Sequence, residues 1–305
     1  MKGWILFDYK DETLKSEHRE IERFLETAKK RNIEIEVYEP QQFDLMVNKQ
    51  ASDSIMINDK PTSLPDFILP RTGASTTYYS LAIIRQLERM GIPSFNTAQS
   101  IETVKDKLFT QQILASSNLP VPRTLLAKYP INADLVEEKL GFPVIVKTLS
   151  GSQGSGVYLS KTKDGFAGLM QLINAAKTSS NIIVQEFIQS SEGRDLRVFV
   201  IGGRAIAAMQ RIAQEGEFRA NISKGGHGKL FPLNSEIEWL AIESAKILGL
   251  DVTGIDLLFD GDHFKICEAN SSPGFIGFEK YCKIDIPNEI FNFISVRLGF
   301  FKNHS

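Results

Sequence analysis

The sequence predicts a mixed α/β protein built from three units, and three stretches of the chain carry this prediction. A strand, a helix and a second strand open the chain. A glycine-rich loop separates two apolar strands near the middle, and two apolar strands near the end are joined by an Asp-Gly-Asp turn. Alternation of strands with helices is typical of α/β folds, and it favours a parallel sheet in the first unit.

The first unit is predicted to span residues 1–96. Its apolar runs and alternating patterns define short strands, and its amphipathic stretches define helices. The predicted elements are strands at 4–7, 33–38, 54–57 and 67–70, and helices at 16–30 and about 76–90, the second of them stopped by Gly91 and Pro93.

The second unit is predicted to span residues 97–187 and the third 188–305. A helix from about 101 to 116 leads into a rigid connection with prolines at 120 and 122. Ser235 with Glu238 three residues on predicts a capping-box helix start, and Gly249 a stop. The other predicted elements are strands at 144–147, 157–159, 182–187, 196–201 and 205–210, a helix at about 166–177, and the hairpin described below.

Composition excludes several classes of function. The 305 residues carry 35 Lys and Arg against 37 Asp and Glu, so a net charge of −2 offers no chain-wide attraction to nucleic acid or anionic membranes. The two cysteines, Cys267 and Cys282, form no disulfide framework, and no apolar run approaches the ~20 residues of a spanning helix. The N-terminus does not resemble a signal peptide, so we expect a cytoplasmic protein with no nucleic-acid or membrane partner.

The hairpin near the C-terminus predicts a metal site. If a three-residue turn joins its strands, Phe259 faces Lys265 and Asp256 falls opposite Glu268, with Asn270 on the same face. Opposed like charges destabilise a hairpin unless something neutralises them, and oxygen ligands favour Mg²⁺ or Mn²⁺. A polar surface hairpin with acids at its rim is the alternative.

The glycine-rich loop predicts a phosphate-binding element. Because a strand and not a helix follows Gly156, the loop fits neither a Walker A motif nor a dinucleotide fingerprint. Its backbone N–H groups could still lie over phosphates, although a flexible hairpin tip is the alternative. Lys147 closes the preceding apolar strand, where its ammonium could reach a nucleotide; Lys107 sits in a polar helix, where a solvated position is the simpler interpretation.

These motifs together resemble the ATP-grasp superfamily, and the resemblance runs almost from end to end. It is carried by Lys107, Lys147, the glycine loop, the Val184–Ile188 strand, Asp195-Leu196-Arg197, Asp256 and Glu268-Ala269-Asn270. Three further motifs are similar to the RimK-type branch of amino-acid ligases: Leu69-Pro70-Arg71-Thr72-Gly73, Gly216-Glu217-Phe218-Arg219-Ala220-Asn221 and Asn270-Ser271-Ser272-Pro273-Gly274.

The resemblance implies a three-domain ATP-grasp fold with an N-terminal Rossmann-like pre-ATP-grasp domain, and ATP held between the second and third domains. It implies roles for the matching residues. Phosphates are held by Lys107, Lys147 and the loop residues Gly151, Ser152, Gly154, Ser155 and Gly156, adenine is bound by Gln185, Glu186 and Phe187, and the ribose is bound by Asp195, with Arg197 beside it. Two Mg²⁺ ions are held by Asp256, Glu268 and Asn270. The residues against the γ-phosphate and the acyl group are Arg219 and Asn221, and the candidates for the transition-state cation are Arg211 and Arg219.

The implied activity is an ATP-dependent carboxylate-amine ligation through an acyl phosphate. D-alanine–D-alanine ligases carry an arginine two residues before the metal aspartate, whereas this chain has Gly254 there, so its cation must come from elsewhere. Arg71, Arg197, Arg211 and Arg219 suit bidentate recognition of an acidic amino acid such as glutamate, with structural ion pairs as the alternative for each.

Other functions and features stay open at this stage. A small-molecule kinase of the same superfamily and a nucleotide-binding protein without turnover are the rival functions, and the resemblance allows a homo-oligomer. The loop Gly225-Gly226-His227-Gly228 is a candidate lid.

Overall fold

The computed structural model describes residues 1–10, 17–47, 54–127, 131–149, 156–175, 181–220 and 225–300. These residues form four β-sheets, two of three strands, one of four and one of five, with helices packed against them. The mixed helix and strand class predicted from the sequence is confirmed. No helix in this part of the chain is both long and apolar enough to cross a bilayer.

The N-terminal region is organised around a parallel sheet, as predicted. β1 lies between β2 and β6 and pairs with both in parallel. The helix after β1 packs Ile21, Phe24 and Ala28 into the core, which is the apolar face that the sequence pattern indicates. The elements are β1 Lys2–Leu6, α1 His18–Lys30, β2 Glu34–Tyr38, β3 Phe43–Leu45, β4 Ile55–Ile57, β5 Lys60–Pro61, β6 Phe67–Pro70 and α2 Tyr78–Arg89.

The central region contains a four-stranded antiparallel sheet. The prediction of one helix from about 101 to 116 was wrong, because Asp106 has an extended backbone and its carboxylate accepts from Phe109 N at 3.0 Å, which starts a new helix. The elements are α3 Ala98–Lys105, α4 Lys107–Ser116, β7 Thr124–Leu126, α5 Ala133–Leu140, β8 Val144–Thr148, β9 Val157–Ser160, α6 Lys163–Ala175 and β10 Ile182–Glu186.

The C-terminal region contains the five-stranded antiparallel sheet. Two local predictions were wrong: Asn234 and not Ser235 caps α7, and His227 with Gly228 belongs to a strand and not to a loop. The elements are β11 Arg194–Ile201, β12 Arg204–Ile212, β13 His227–Phe231, α7 Ser235–Ile247, β14 Val252–Asp260, β15 His263–Asn270, α8 Ile276–Cys282 and α9 Ile286–Arg297.

One hydrophobic core joins the first and last regions. It combines Ile5 and Phe24 of the N-terminal region with Phe199, Phe275 and Phe291 of the C-terminal one. Because each of these side chains is fully buried, separating the two regions would expose a large apolar area. The N-terminal region is therefore fixed against the five-stranded sheet that carries the predicted metal residues.

Candidate functional site

The β14–β15 hairpin brings the predicted metal residues together. Asp256 lies opposite Glu268, and Gly254 opposite Asn270, so the predicted pairing of the two acids is confirmed. The predicted turn was wrong: Asp260 pairs with His263, which leaves a two-residue turn, and Phe259 faces Phe264 instead of Lys265.

A β-bulge reconciles the shorter turn with the predicted pairing. Leu257 pairs with Ile266 while Asp256 pairs with Glu268, so Cys267 is an extra residue in β15. Bulges turn side chains toward new directions and are frequent beside active sites. Here the side chains of Ile266 and Ala269 belong to the hydrophobic core, whereas those of Cys267 and Glu268 lie outside it.

Asp256 is held by two arginines. Arg197 donates from Nε and from an Nη to the two carboxylate oxygens, both at 2.6 Å, and an Nη of Arg211 donates to one of them at 2.8 Å. The guanidinium of Arg211 also forms a bidentate pair with Asp195, at 2.7 and 2.6 Å. Asp195, Arg211, Asp256 and Arg197 therefore alternate in charge across three adjacent strands.

The charges shift the acids of this cluster in opposite directions. Burial raises the pKa of Asp195 despite the neighbouring Arg211. Burial also acts on Asp256, but Arg197 and Arg211 together outweigh it and lower the pKa of that carboxyl below its usual range. Asp256 is therefore an anion at neutral pH.

Glu268 differs from Asp256 in its electrostatic surroundings. In the described part of the chain, no lysine, arginine or histidine nitrogen forms an ion pair with its half-buried carboxylate. When the Asn270 amide is oriented to satisfy its surroundings, its nitrogen donates to Glu268 at 3.3 Å and its oxygen accepts from Arg197 at 3.2 Å. Asn270 therefore connects the open carboxylate to the arginine cluster.

This donor set fits Mg²⁺. Two carboxylates and an amide supply only oxygen ligands, and Mg²⁺ in nucleotide enzymes is held by one or two carboxylates together with substrate phosphates. No cluster of three or more His, Cys, Asp or Glu suited to a metal occurs within the described ranges. The set is therefore too small for an all-protein cage but suits a metal shared with a nucleotide.

Further polar contacts, at Lys147 and at Glu186, join β10 to neighbouring elements beside the first cluster. Lys147 Nζ donates to Gln185 Oε1 at 2.8 Å and lies 3.8 Å from Cys267 Sγ, on the bulge of β15. Glu186 accepts from Lys265 at 2.8 Å and from Arg123 at 2.7 Å. Lys147 and Gln185 are thus in direct contact with each other, and Lys147 also contacts Cys267, the residue that precedes Glu268.

The strand that carries Gln185 is not an edge strand. β10 pairs with β7 on one side and with β8 on the other. Phe187 follows its end and is partly exposed. Gln185 therefore lies inside the four-stranded sheet and not at its edge.

Lys107 begins α4, on the helix face directed toward the hairpin. Gln111, four residues on and so on the same face, donates to the Cys267 carbonyl at 2.8 Å. The face of α4 that carries Lys107 and Gln111 is therefore turned toward the bulge at Cys267.

The glycine-rich loop is described only at its end. Gly156 has a φ of +73°, and an added Cβ would lie 2.3 Å from Thr148 Oγ1, so glycine is required where β9 begins. Gly151, Ser152, Gly154 and Ser155 lie outside the described residues, and so does Asn221.

Arg219 pairs with an acid of its own loop. Its Nε and an Nη donate to Glu217 at 3.0 and 2.8 Å, and this hydrogen bonding lowers the pKa of Glu217 to about 2. The same hydrogen bonding raises the pKa of Arg219.

The prediction that Arg71 recognises a substrate carboxylate was wrong. Arg71 is only 2% exposed and forms a buried ion pair with Glu20 of α1. Arg197, Arg211 and Arg219 likewise have carboxylate partners, so all four arginines form the ion pairs that the alternative interpretation describes.

Packing explains why glycine stands at position 254. A Cβ there would lie 2.9 Å from the Pro273 Cβ, 3.3 Å from Arg197 Cδ and 3.5 Å from Arg197 Nε. The side chain of Arg197, from the adjacent strand, fills the space that a residue at 254 would use. The sequence could not show why glycine is needed at position 254, because Arg197 is 57 positions away in the chain. The two residues become neighbours only when Arg197 lies opposite Asp256 on the adjacent strand.

We expect Gly254→Ala to destabilise the protein by about 1–3 kcal/mol through overpacking. Thermal denaturation of the purified variant measures this. Gly168→Ala is the matched control: it lies in α6, a Cβ there meets no described atom within 4 Å, and alanine in a helix is expected to stabilise by roughly 0.5–1 kcal/mol. An unchanged midpoint for Gly254→Ala would contradict the packing explanation.

Comparisons with known proteins identify the family of this chain. The family model of the RimK-like ATP-grasp domain matches residues 104–294, and that of the RimK pre-ATP-grasp domain matches residues 13–101. The chain is 39% identical to a probable alpha-L-glutamate ligase of Vibrio parahaemolyticus over 80% of its own length and 81% of that protein. It is 37% identical to a protein of the same name from Thioalkalivibrio sulfidiphilus over 89% of its length and 90% of that protein.

Solved structures show the same fold at lower identity. The ATP-grasp ligase PsnB, complexed with a minimal precursor, superposes with a TM-score of 0.75 at 20% identity, covering 97% of this chain and 98% of that one. D-alanine–D-alanine ligase from Bacillus anthracis gives a TM-score of 0.70 at 17% identity, covering 99% and 100% of the two chains.

The fold and the family matches define an ATP-grasp enzyme. The chain belongs to the RimK-like ATP-grasp family, and it is an ATP-dependent ligase. Enzymes of this class use ATP and Mg²⁺.

Proposed function

We propose that this enzyme joins an acidic amino acid, glutamate, to an acceptor by an amide bond. The names of its relatives support glutamate, and the contiguous arrangement of Lys147, Glu268, Asp256 and Asn270 on two sheets is the observation that carries the proposal. The acceptor class that we favour is a peptide or a protein tail, since the superposing PsnB structures contain precursor peptides.

The proposed reaction has two steps. A substrate carboxylate oxygen attacks the γ-phosphorus of ATP, the bond to the ADP oxygen breaks, and an acyl phosphate and ADP result. An amine nitrogen then attacks the acyl carbon, the bond to the phosphate oxygen breaks, and phosphate leaves while the nitrogen loses a proton. Positioning and charge neutralisation suffice for phosphoryl transfer, so no protein nucleophile is needed.

We also propose that the residues matching the family motifs bind the nucleotide and its metal ions. Lys107 and Lys147 hold phosphates together with the glycine-rich loop, and the backbone of residues 185–187 binds adenine. Asp195 is proposed to bind the ribose, although both of its oxygens are bonded to Arg211, so this contact requires Asp195 to share its carboxylate between the two. Asp256, Glu268 and Asn270 hold two Mg²⁺ or Mn²⁺ ions, which supply neutralisation of the charge on the transferring phosphoryl group.

Arg197 joins Arg211 and Arg219 as a candidate for the transition-state cation. Its side chain fills the space beside Gly254, contacts Asp256 and reaches Asn270. A guanidinium at this place is fixed before the reaction begins, and preorganised charge is effective because no reorganisation is needed as charge develops. Arg197 thus provides, from the neighbouring strand, a cation where D-alanine–D-alanine ligases have an arginine at the position of Gly254.

The division into residues 1–96, 97–187 and 188–305 is also a proposal. Each of the four sheets formed by the described residues falls wholly within one of these ranges, which supports the division.

A product assay tests the function. The enzyme is incubated with ATP, Mg²⁺, pooled amino acids and candidate acceptor peptides, and ADP release is followed together with mass spectrometry. We expect ADP release that depends on both glutamate and acceptor, and a product heavier than the acceptor by one glutamate less one water. A phosphorylated product without an amide would select the kinase alternative, and absence of ADP release with every combination would favour a protein that binds nucleotide without turnover.

A further inference from the structure

The turn that follows β15 is bound by the N-terminal region of the chain. This turn, residues 271–275, begins directly after Asn270, one of the proposed metal ligands. Three hydrogen bonds cross from the N-terminal region: Asn96 Nδ2 to Ser271 O at 2.8 Å, an Arg71 Nη to Pro273 O at 3.1 Å, and Phe275 N to Glu20 Oε1 at 2.9 Å.

The side chains that make these bonds are almost completely buried. Arg71 is 2%, Glu20 4% and Asn96 1% exposed. Arg71 and Glu20 form an ion pair with each other, and the guanidinium lies 5.8 Å from the ring centroids of both Phe24 and Phe275. Water therefore cannot replace the bonds to the turn, and a buried pair with such partners holds one geometry.

Asn96 extends the connection to the strand opposite Asn270. Its amide oxygen accepts from Asp251 N at 2.7 Å and Val252 N at 2.9 Å, and its nitrogen also donates to Val252 O at 2.7 Å. One buried amide thus links the start of β14 to the end of β15. Thr253 Oγ1 closes the same region by donating to the Asn270 carbonyl at 2.9 Å.

Close packing leaves the turn little room to move. A Cβ on Gly274 would lie 3.1 Å from Glu20 Oε1, and a Cβ on Gly254 would lie 2.9 Å from Pro273. The turn is therefore confined between Glu20 on one side and β14 on the other. A shift of the N-terminal region would displace the backbone within three residues of Asn270.

We propose that Arg71, Glu20 and Asn96 are positioning residues that hold Asn270 in the geometry needed to bind the metal–nucleotide complex. This rests on the proposed metal site. The N-terminal region then contributes to phosphoryl transfer through the 271–275 turn, and Arg71 acts on the backbone of this turn instead of on a substrate carboxylate.

Binding of Mn²⁺ in the presence of a non-hydrolysable ATP analogue tests the proposal, with the free Mn²⁺ measured by electron paramagnetic resonance. Arg71→Gln removes a hydrogen bond to the turn, and Gly274→Ala brings a methyl group against Glu20. We expect each to weaken Mn²⁺ binding by about 10–100-fold, the usual effect of removing a group that orients a metal ligand. Gly274→Ala leaves the Arg71–Glu20 pair in place, so it serves if Arg71→Gln does not fold.

Arg23→Gln is the matched control. Arg23 lies on the same helix as Glu20 and also pairs across to the C-terminal region, with Glu279 at 2.9 Å, but it makes no bond to the 271–275 turn. We expect its Mn²⁺ affinity to stay within about twofold of wild type, since the bonds that hold the 271–275 turn are all kept in this variant.

A double-mutant cycle separates positioning from general destabilisation. If Arg71 acts through Asn270, Arg71→Gln should change Mn²⁺ affinity little in an Asn270→Ala background, whereas independent effects would add. Unchanged Mn²⁺ affinity in folded Arg71→Gln and Gly274→Ala, or additive effects in the cycle, would overturn the inference. A wild-type enzyme that binds no Mn²⁺ with the nucleotide analogue would instead refute the proposed metal site itself.

Discussion

Glu268→Gln is expected to reduce ADP release by about 10²-fold or more while the fold persists. The substitution keeps the shape of the side chain and removes a carboxylate that pairs with no arginine in the part of the chain that the structure describes. Asp256 is already neutralised by Arg197 and Arg211, so Glu268 supplies the uncompensated negative charge that favours a divalent cation. Because Glu268 forms no ion pair within the described ranges, its replacement breaks none there, and the thermal midpoint should change little.

Steady-state ADP release and Mn²⁺ binding with the ATP analogue are the two measurements for this variant. Asp262→Asn is the control, because it removes an acid from the exposed turn of the same hairpin, away from the proposed ligands. We expect the control to keep wild-type activity. Unimpaired turnover in Glu268→Gln would remove the metal assignment.

The hairpin shows how far sequence reasoning reaches. Alternation of side chains placed Asp256, Glu268 and Asn270 on one face, and the structure has the two acids opposite each other. The assumed turn was one residue too long, and the bulge at Cys267 offsets this difference. The position of the bulge depends on how Leu257 and Ile266 pack together in the core, and no local sequence pattern encodes that packing.

Long-range polar partners were the other feature that the sequence could not supply. Glu20 and Arg71 are 51 positions apart, and Arg197 and Asp256 are 59 apart. In isolation each arginine is equally compatible with substrate recognition and with an ion pair. Local signals were more reliable for β6, whose predicted and observed bounds agree at Phe67–Pro70, since a short apolar run ended by a proline marks its own limits.

Arg211 is expected to be the arginine whose loss destabilises the protein most. Its guanidinium bonds to both Asp195 and Asp256, and it is 7% exposed. Arg211→Met keeps the apolar volume but leaves the buried carboxylate of Asp256 and the partly buried one of Asp195 short of a partner. Breaking a buried pair by removing one member costs about 3–5 kcal/mol, and we expect a loss of this size in thermal denaturation at neutral pH. Arg85→Met, which breaks an exposed pair with Glu102, should cost no more than about 1 kcal/mol.

The pH dependence of this loss identifies its electrostatic origin. In the wild-type protein the pKa of Asp256 is lowered on folding by Arg197 and Arg211, so this pairing stabilises the fold above the ordinary carboxyl pKa of about 3.9 and is lost as the pH falls. Without Arg211, we expect the folded-state pKa of both Asp195 and Asp256 to rise. Protonation of the two carboxyls then removes the free-energy cost of burying their charges. The difference in stability between wild type and Arg211→Met should therefore be largest near pH 7 and shrink as the pH approaches 4. A difference that is constant over this range would show that lost packing, and not the two carboxylates, accounts for the effect.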